Sequence, residues 1–186
     1  SEPVLETACK LAEESVVLLK NEGTLPIANT VRKVLVVGPM ADAPYDQMGT
    51  WALDGDKTHT VTPIAAMKQD WGDKVEITYI PCLTHPRDKS TSEFKKMVSA
   101  AKKADVVVAF VGEEQMMSGE AHSLSSLDLQ GAQSQMLEAV AETGTPLVTV
   151  FMAGRPMTIG RQVEISDAVL YAWHPGTMGG KALSNI

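Results

Sequence analysis

Asp105-Val106-Val107-Val108-Ala109-Phe110-Val111-Gly112 is a continuous apolar run of one strand's length. Such a run, β-branched and without polar alternation, reads as a strand covered on both faces, the kind a parallel sheet buries. It runs straight into Glu113-Glu114-Gln115-Met116-Met117-Ser118-Gly119-Glu120-Ala121-His122. In an open α/β sheet the carboxyl ends of parallel strands are where sites form, because the strand fixes the backbone while the loop beyond it presents side chains. Three carboxylates and an imidazole are delivered to that place together.

On either side of this strand the pattern alternates. Val31 to Gly38 is a short β-branched run bounded by Gly38-Pro39, and further strands are predicted at Val75–Ile80, Pro146–Met152 and Asp167–Ala172. Helical periodicity falls between them at Thr62–Asp70, Ser92–Lys103 and Gly131–Glu142, the last ended by Thr143-Gly144, and a final helix opens after Trp173-His174-Pro175-Gly176. At the start of the chain Leu5, Ala8, Leu11, Ala12, Val16 and Leu19 recur at three- and four-residue intervals. This predicts a helix from Leu5 to Lys20, closed by Gly23 as a left-handed cap and kept from resuming by Pro26. Alternating strands and helices with short links predict an α/β fold, a three-layer α/β/α sandwich with a mainly parallel sheet. Two connections exceed ordinary length, Asp42 to Val61 and Glu113 to Asp128, and both are expected on one rim of the sheet.

Composition bounds the function. With 186 residues, 44% hydrophobic and 21% charged, the chain is able to bury about 70% of its unfolded surface in one core. A net charge of −7 argues against nucleic acid, whose phosphates demand clustered Lys and Arg. Lys95-Lys96 and Lys102-Lys103 read as the solvated face of one helix. No run approaches the roughly 18 apolar residues of a membrane span, and Ser1-Glu2-Pro3 does not open a signal peptide. Cys9 and Cys82 are far apart without metal-ligand spacing and are expected as unpaired thiols.

The loop after Gly112 carries a resemblance. Gly112-Glu113-x-Gln115-x-x-x-x-Glu120-Ala121, followed by a Ser-rich turn and Leu127-x-Leu129-x-x-x-Gln133, resembles the loop of family 3 glycoside hydrolases that holds the acid/base glutamate. Other segments agree in the same order: Ala12-Glu13-Glu14-Ser15-Val16-Val17-Leu18-Leu19-Lys20-Asn21 with Leu25-Pro26, Val36-Val37-Gly38-Pro39-Met40-Ala41-Asp42, and Met48-Gly49-Thr50-Trp51. Gly154-Arg155-Pro156 and Ala172-Trp173-His174-Pro175-Gly176-Thr177-x-Gly179-Gly180-x-Ala182 follow. The likeness is greatest to periplasmic bacterial β-glucosidases. It implies that residues 1–186 are the C-terminal domain of such an enzyme, that a (β/α)8 barrel supplying an Asp nucleophile precedes it, and that further chain normally follows a segment like Ala182–Ile186. It also implies a β-glucoside or oligosaccharide substrate and a periplasmic or secreted location.

Cleavage of a glycosidic bond needs a proton delivered to the departing oxygen and a carboxylate or water on the other side of the sugar. A glutamate suits the first task, because its protonation is tunable by an apolar or anionic setting. Glu120 matches the family's acid/base in position, with Gly119 and Ala121 leaving room for substrate. Glu113, and with it Glu114, is the rival, although a carboxylate immediately after a strand more often braces the loop or faces water. Family loops commonly carry an Arg about four residues after this glutamate, where Leu124 stands here, and a Pro where Gln130 stands. Trp51 is either a sugar-stacking face, as the family resemblance implies, or a half-buried loop anchor. Asp46, with Asp42, Asp54 and Asp56, bonds sugar hydroxyls or caps turns. His122 tunes Glu120, touches sugar, or is an exposed loop residue, and Arg155 is expected in a structural ion pair or interdomain contact.

Neither metal nor cofactor is expected. The four histidines are scattered, and Asp54-Gly55-Asp56 lacks the ligand spacing and terminal Glu of a calcium loop. Gly38-Pro39-Met40 lacks a phosphate-binding glycine pattern, and no Gly-x-Ser-x-Gly elbow is present. The alternative function is non-catalytic: a carbohydrate-binding or structural domain supporting a partner catalytic barrel.

Overall fold

A computed structural model describes all of Ser1–Ile186. Its elements, in chain order, are α1 (Glu2–Ser15), β1 (Val17–Asn21), β2 (Lys33–Val37), α2 (Pro63–Trp71), β3 (Glu76–Ile80), α3 (Phe94–Ala101), β4 (Val106–Gly112), α4 (Gln133–Ala141), β5 (Leu147–Met152), α5 (Gly160–Ile165), β6 (Ala168–Tyr171) and α6 (Gly179–Asn185). The strands form one sheet in the order β1-β6-β5-β4-β2-β3. All neighbours are parallel except β1 against β6. Every residue of β4, β5 and β6 is buried, which is why their sequences carry no polar alternation.

Helices cover both faces. Val107, Ala109 and Val111 of β4 pack with Met97 and Ala101 of α3 and with Met136, Leu137 and Val140 of α4. Val106, Val108 and Phe110 point the other way, toward Ile64 and Met67 of α2. On that second face α6 lies against α1 and α2, joined by Lys181 Nζ and Ser184 Oγ, which each donate to the Asp70 carboxylate at 2.8 Å. An apolar cavity of about 270 Å³ opens on this face toward the amino ends of the strands, between Leu25, Val31, Met67, Trp71 and Leu183. No helix is long and apolar enough to cross a membrane. Both cysteines are free thiols.

One expectation fails. The helix predicted over Leu5–Lys20 ends at Ser15, Val16 turns extended at φ −68° and ψ 132°, and Val17–Asn21 is a strand. Gly23, at φ +93°, turns the chain after that strand rather than capping a helix. The β-branched pair Val16-Val17 weakly disfavours helix, and the open edge of β6 offers an antiparallel ladder, with Val17 opposite Tyr171 and Asn21 opposite Ala168 and a register shift between Leu18 and Lys20. Tertiary pairing overrides a helical period that runs on through Leu19. The six-residue α5 has no counterpart in the predicted elements, since Val163 and Ile165 alone give it no readable period.

Candidate active site

The chain goes from β2 outward to β3 and then crosses to β4 on the other side of β2. That reversal opens a crevice at the carboxyl ends of β2 and β4, the usual location of a site in this architecture. The two long connections, from Gly38 to Thr62 and from Glu113 to Ala132, leave from these two strand ends. The shorter segments carrying Arg155 and His174 leave from β5 and β6 on the same rim.

Glu113, the first residue beyond β4, is fully buried. Arg155 clamps it with two bonds, Nε to Oε2 at 3.1 Å and a terminal nitrogen to Oε1 at 2.7 Å. The Tyr171 hydroxyl donates in turn to the Arg155 carbonyl. Glu114 points to the other side and meets Arg87 at 2.6 Å and His85 at 3.3 Å. Gln133, at the start of α4, receives the Gly112 N–H at 2.8 Å and donates to the Gly112 and Pro86 carbonyls at 2.9 and 3.0 Å. The strand end is therefore tied from three directions before the loop begins. Gly112 is obligatory there, since a Cβ would lie 1.8 Å from the Met152 carbonyl oxygen.

Glu120 lies farther out, exposed between Gly119 at φ +105° and Ala121 at φ +61°. Of the two positive-φ residues that flank Glu120, only Ala121 carries a side chain into the left-handed region. His122 is exposed two residues on, its N–H bonded to the Gly119 carbonyl at 3.3 Å. Leu124 brings no cation toward Glu120, and Arg87 and Arg155 are already committed to Glu114 and Glu113.

The loop from β2 lies against this turn. Asp46 accepts the Gln115 N–H at 3.0 Å. Burial pushes its carboxyl above the ordinary value, the Gln115 N–H opposes this, and the Glu114 charge adds to it. Thr50 bonds the carbonyls of Gln115 and Ser118. Next to it Trp51 is 65% exposed, so most of its indole lies open rather than packed in the domain. Thus Trp51, Asp46, Glu120 and His122 share one rim, with Asp46 engaged in holding the loop and Glu113 withdrawn beneath it. No group of three or more His, Cys, Asp or Glu side chains comes together in a way that would hold a metal ion.

Residues 16–186 match the family model described as the glycosyl hydrolase family 3 C-terminal domain. The chain belongs to this family. Among its relatives, the periplasmic beta-glucosidase of Salmonella typhimurium is 37% identical over 199 residues, covering 96% of this chain and 26% of that protein. The beta-xylosidase of Formosa agariphila is 32% identical, with coverage of 97% and 26%. The crystal structure of beta-glucosidase from Listeria innocua in complex with isofagomine superposes at a TM-score of 0.89 with 30% identity, covering 100% of this chain and 25% of that one. The chain thus spans about a quarter of the length of the proteins it matches.

For several supports of this family 3 C-terminal domain the sequence names no partner. Thr50 and Ser118 are ordinary loop residues until the fold brings them together. His174 is another. Its ring packs on Gly49 and Gly154, and both of its nitrogens are buried without a partner in hydrogen-bond geometry, as are Gln47 Oε1 and Thr60 Oγ1. Burial lowers the His174 pKa from its ordinary 6.5, against the pull of the Glu113 carboxylate and of the Asp46 backbone. Below pH 6.5 the unfolded imidazole takes up a proton that the folded one refuses, so stability falls as pH falls through this window. His174→Phe is expected to flatten that acid slope. Urea midpoints measured against pH give the check, and identical slopes in both proteins would remove His174 as the cause.

Proposed function

We propose that this chain is the C-terminal α/β sandwich of a retaining exo-acting β-glycosidase that releases terminal β-D-glucosyl residues, and that Glu120 is its acid/base. The reading is carried by one observation: of the three carboxylates in residues 113–122, Glu120 alone is both exposed and free of a cation. Glu113 fails as the acid because its oxygens are engaged by Arg155 beneath the surface. Protonated, Glu120 gives its proton to the departing oxygen; ionised, it then draws a proton from the water that attacks the glycosyl-enzyme. The nucleophile in this scheme is an Asp on a (β/α)8 barrel of the same protein. The retaining geometry sets the two carboxyls about 5–5.5 Å apart, so the barrel covers this rim. Trp51 stacks on the leaving group, and Asp46 and His122 border the subsite. The name of the Salmonella typhimurium relative supports a periplasmic or secreted setting.

The test is turnover of aryl β-glucosides and aryl β-xylosides by the full-length protein and by residues 1–186 alone. Hydrolysis by the full-length protein, faster on the glucoside, with none by the isolated domain, is the expected result. Turnover by residues 1–186 alone would contradict a divided centre. A full-length protein that binds glucosides yet cleaves none would make this a binding domain.

A further inference from the structure

We infer that Thr50 is a positioning residue for the acid/base, its side chain serving as the staple that sets the Glu120 turn and ties it to the loop bearing Trp51; this rests on the assignment of Glu120 above. The Thr50 hydroxyl lies 2.7 Å from the Gln115 carbonyl, 2.9 Å from the Ser118 carbonyl and 3.2 Å from the Ser118 hydroxyl. A hydroxyl has one proton to give and two lone pairs to offer. Thr50 therefore shares its proton between the two carbonyls and is able to accept from Ser118, so that all three contacts fall on one short segment. Its methyl group completes the contact: a Cβ on Gly119 would come within 2.5 Å of Thr50 Cγ2. Thr50 thus touches residues 115, 118 and 119, those leading directly into Glu120, while its own backbone continues into Trp51.

Asp46 supplies the second stitch through the Gln115 N–H. Together they close a loop-to-loop seam across 65 to 69 positions of sequence. The turn that carries Glu120 has little else to fix it, since Glu120, Ala121 and His122 are exposed. A displaced general acid loses efficiency in proportion to the work it does, and glycosides with poor leaving groups need protonation most.

In the full-length protein, Thr50→Val is expected to lower kcat/KM about tenfold to hundredfold on alkyl glycosides, the range that a misplacement of about 1 Å produces. On dinitrophenyl glycosides, whose leaving group needs no proton, the change is expected to stay below about threefold. Thr50→Ser, which keeps the hydroxyl, is expected to restore the alkyl rate. Hydrogen exchange over residues 113–122 is expected to quicken in Thr50→Val and not in Thr50→Ser. Gly119→Ala, which presses on the same methyl, is the second variant if Thr50→Val does not fold, and its loss is expected on the same substrates.

Unchanged exchange over residues 113–122 would overturn the staple whatever the kinetics show. Equal losses on both substrate classes would make Thr50 structural only and would likewise overturn its positioning role. Glu120→Gln, measured alongside, separates the two claims. If it shows no leaving-group dependence, the acid assignment fails, and the positioning claim fails with it. If it shows that dependence and Thr50→Val does not, only the Thr50 inference is lost.

Discussion

Glu120→Ala in the full-length protein is expected to slow hydrolysis of glycosides with poor leaving groups by about 10² to 10⁴, the usual worth of general acid–base assistance. The loss should shrink as the leaving group becomes more acidic, because an oxygen that departs readily as an anion needs no proton. Deglycosylation then becomes limiting, since the same carboxylate is needed to activate water. Azide, a nucleophile requiring no base, should restore that second step and yield a glycosyl azide of retained configuration. The structure makes the experiment clean. Glu120 is exposed between Gly119 and Ala121 on this domain, so truncating it removes no buried contact within the domain, and the domain should fold as the parent does. Azide rescue in Glu113→Ala together with its absence in Glu120→Ala would transfer the role to Glu113. The bidentate Arg155 clamp argues against that outcome.

Arg155→Met is expected to cost about 3–5 kcal/mol of stability, the penalty for leaving one member of a buried ion pair alone. Glu113 is 0% exposed and the Arg155 side chain 20%, so it is the carboxylate that is stranded. It must then sit without a compensating cation in the protein interior. Arg155→Met combined with Glu113→Gln should recover much of the loss, giving a large coupling energy in a double-mutant cycle. A drop in unfolding midpoint of roughly 10 °C is the scale to look for in a domain of this size. Near-additive single and double variants would mean that the pair contributes no more than an exposed bridge, whose worth is about 0–1 kcal/mol. The arrangement also explains why a carboxylate so close to the strand end is unavailable for chemistry: it joins the segments beyond β4 and β5 and steadies the floor under the outer loop.

Much of this was legible along the chain. Val106–Gly112 declared itself a buried parallel strand because nothing polar interrupts it, and Leu147–Met152 did so with Thr149 as its single polar residue. The alternation of such runs with helical periods was enough to anticipate three layers and a shared rim for the two long loops. Val17–Asn21 was not legible, because Val16 and Leu19 continue the period of Leu5, Ala8, Leu11 and Ala12. Only the unpaired edge of β6 converts those residues into a strand. Arg155 was expected in an ion pair, and it makes one, but nothing in Gly154-Arg155-Pro156 names Glu113 as its partner.

The sequence by itself determined the alternation of elements, the carboxyl-end placement of the 113–122 loop and, through its motif, the family, because these depend on local patterning and on residues near one another in the chain. The tertiary structure decided which glutamate is consumed by a cation and which stands free, how β1 is paired, and that Thr50 lies beneath the turn of Glu120. Those outcomes turn on contacts between residues 42 to 154 positions apart. Hydrogen bonds and ion pairs act over a few ångströms of space, whatever the distance along the polypeptide.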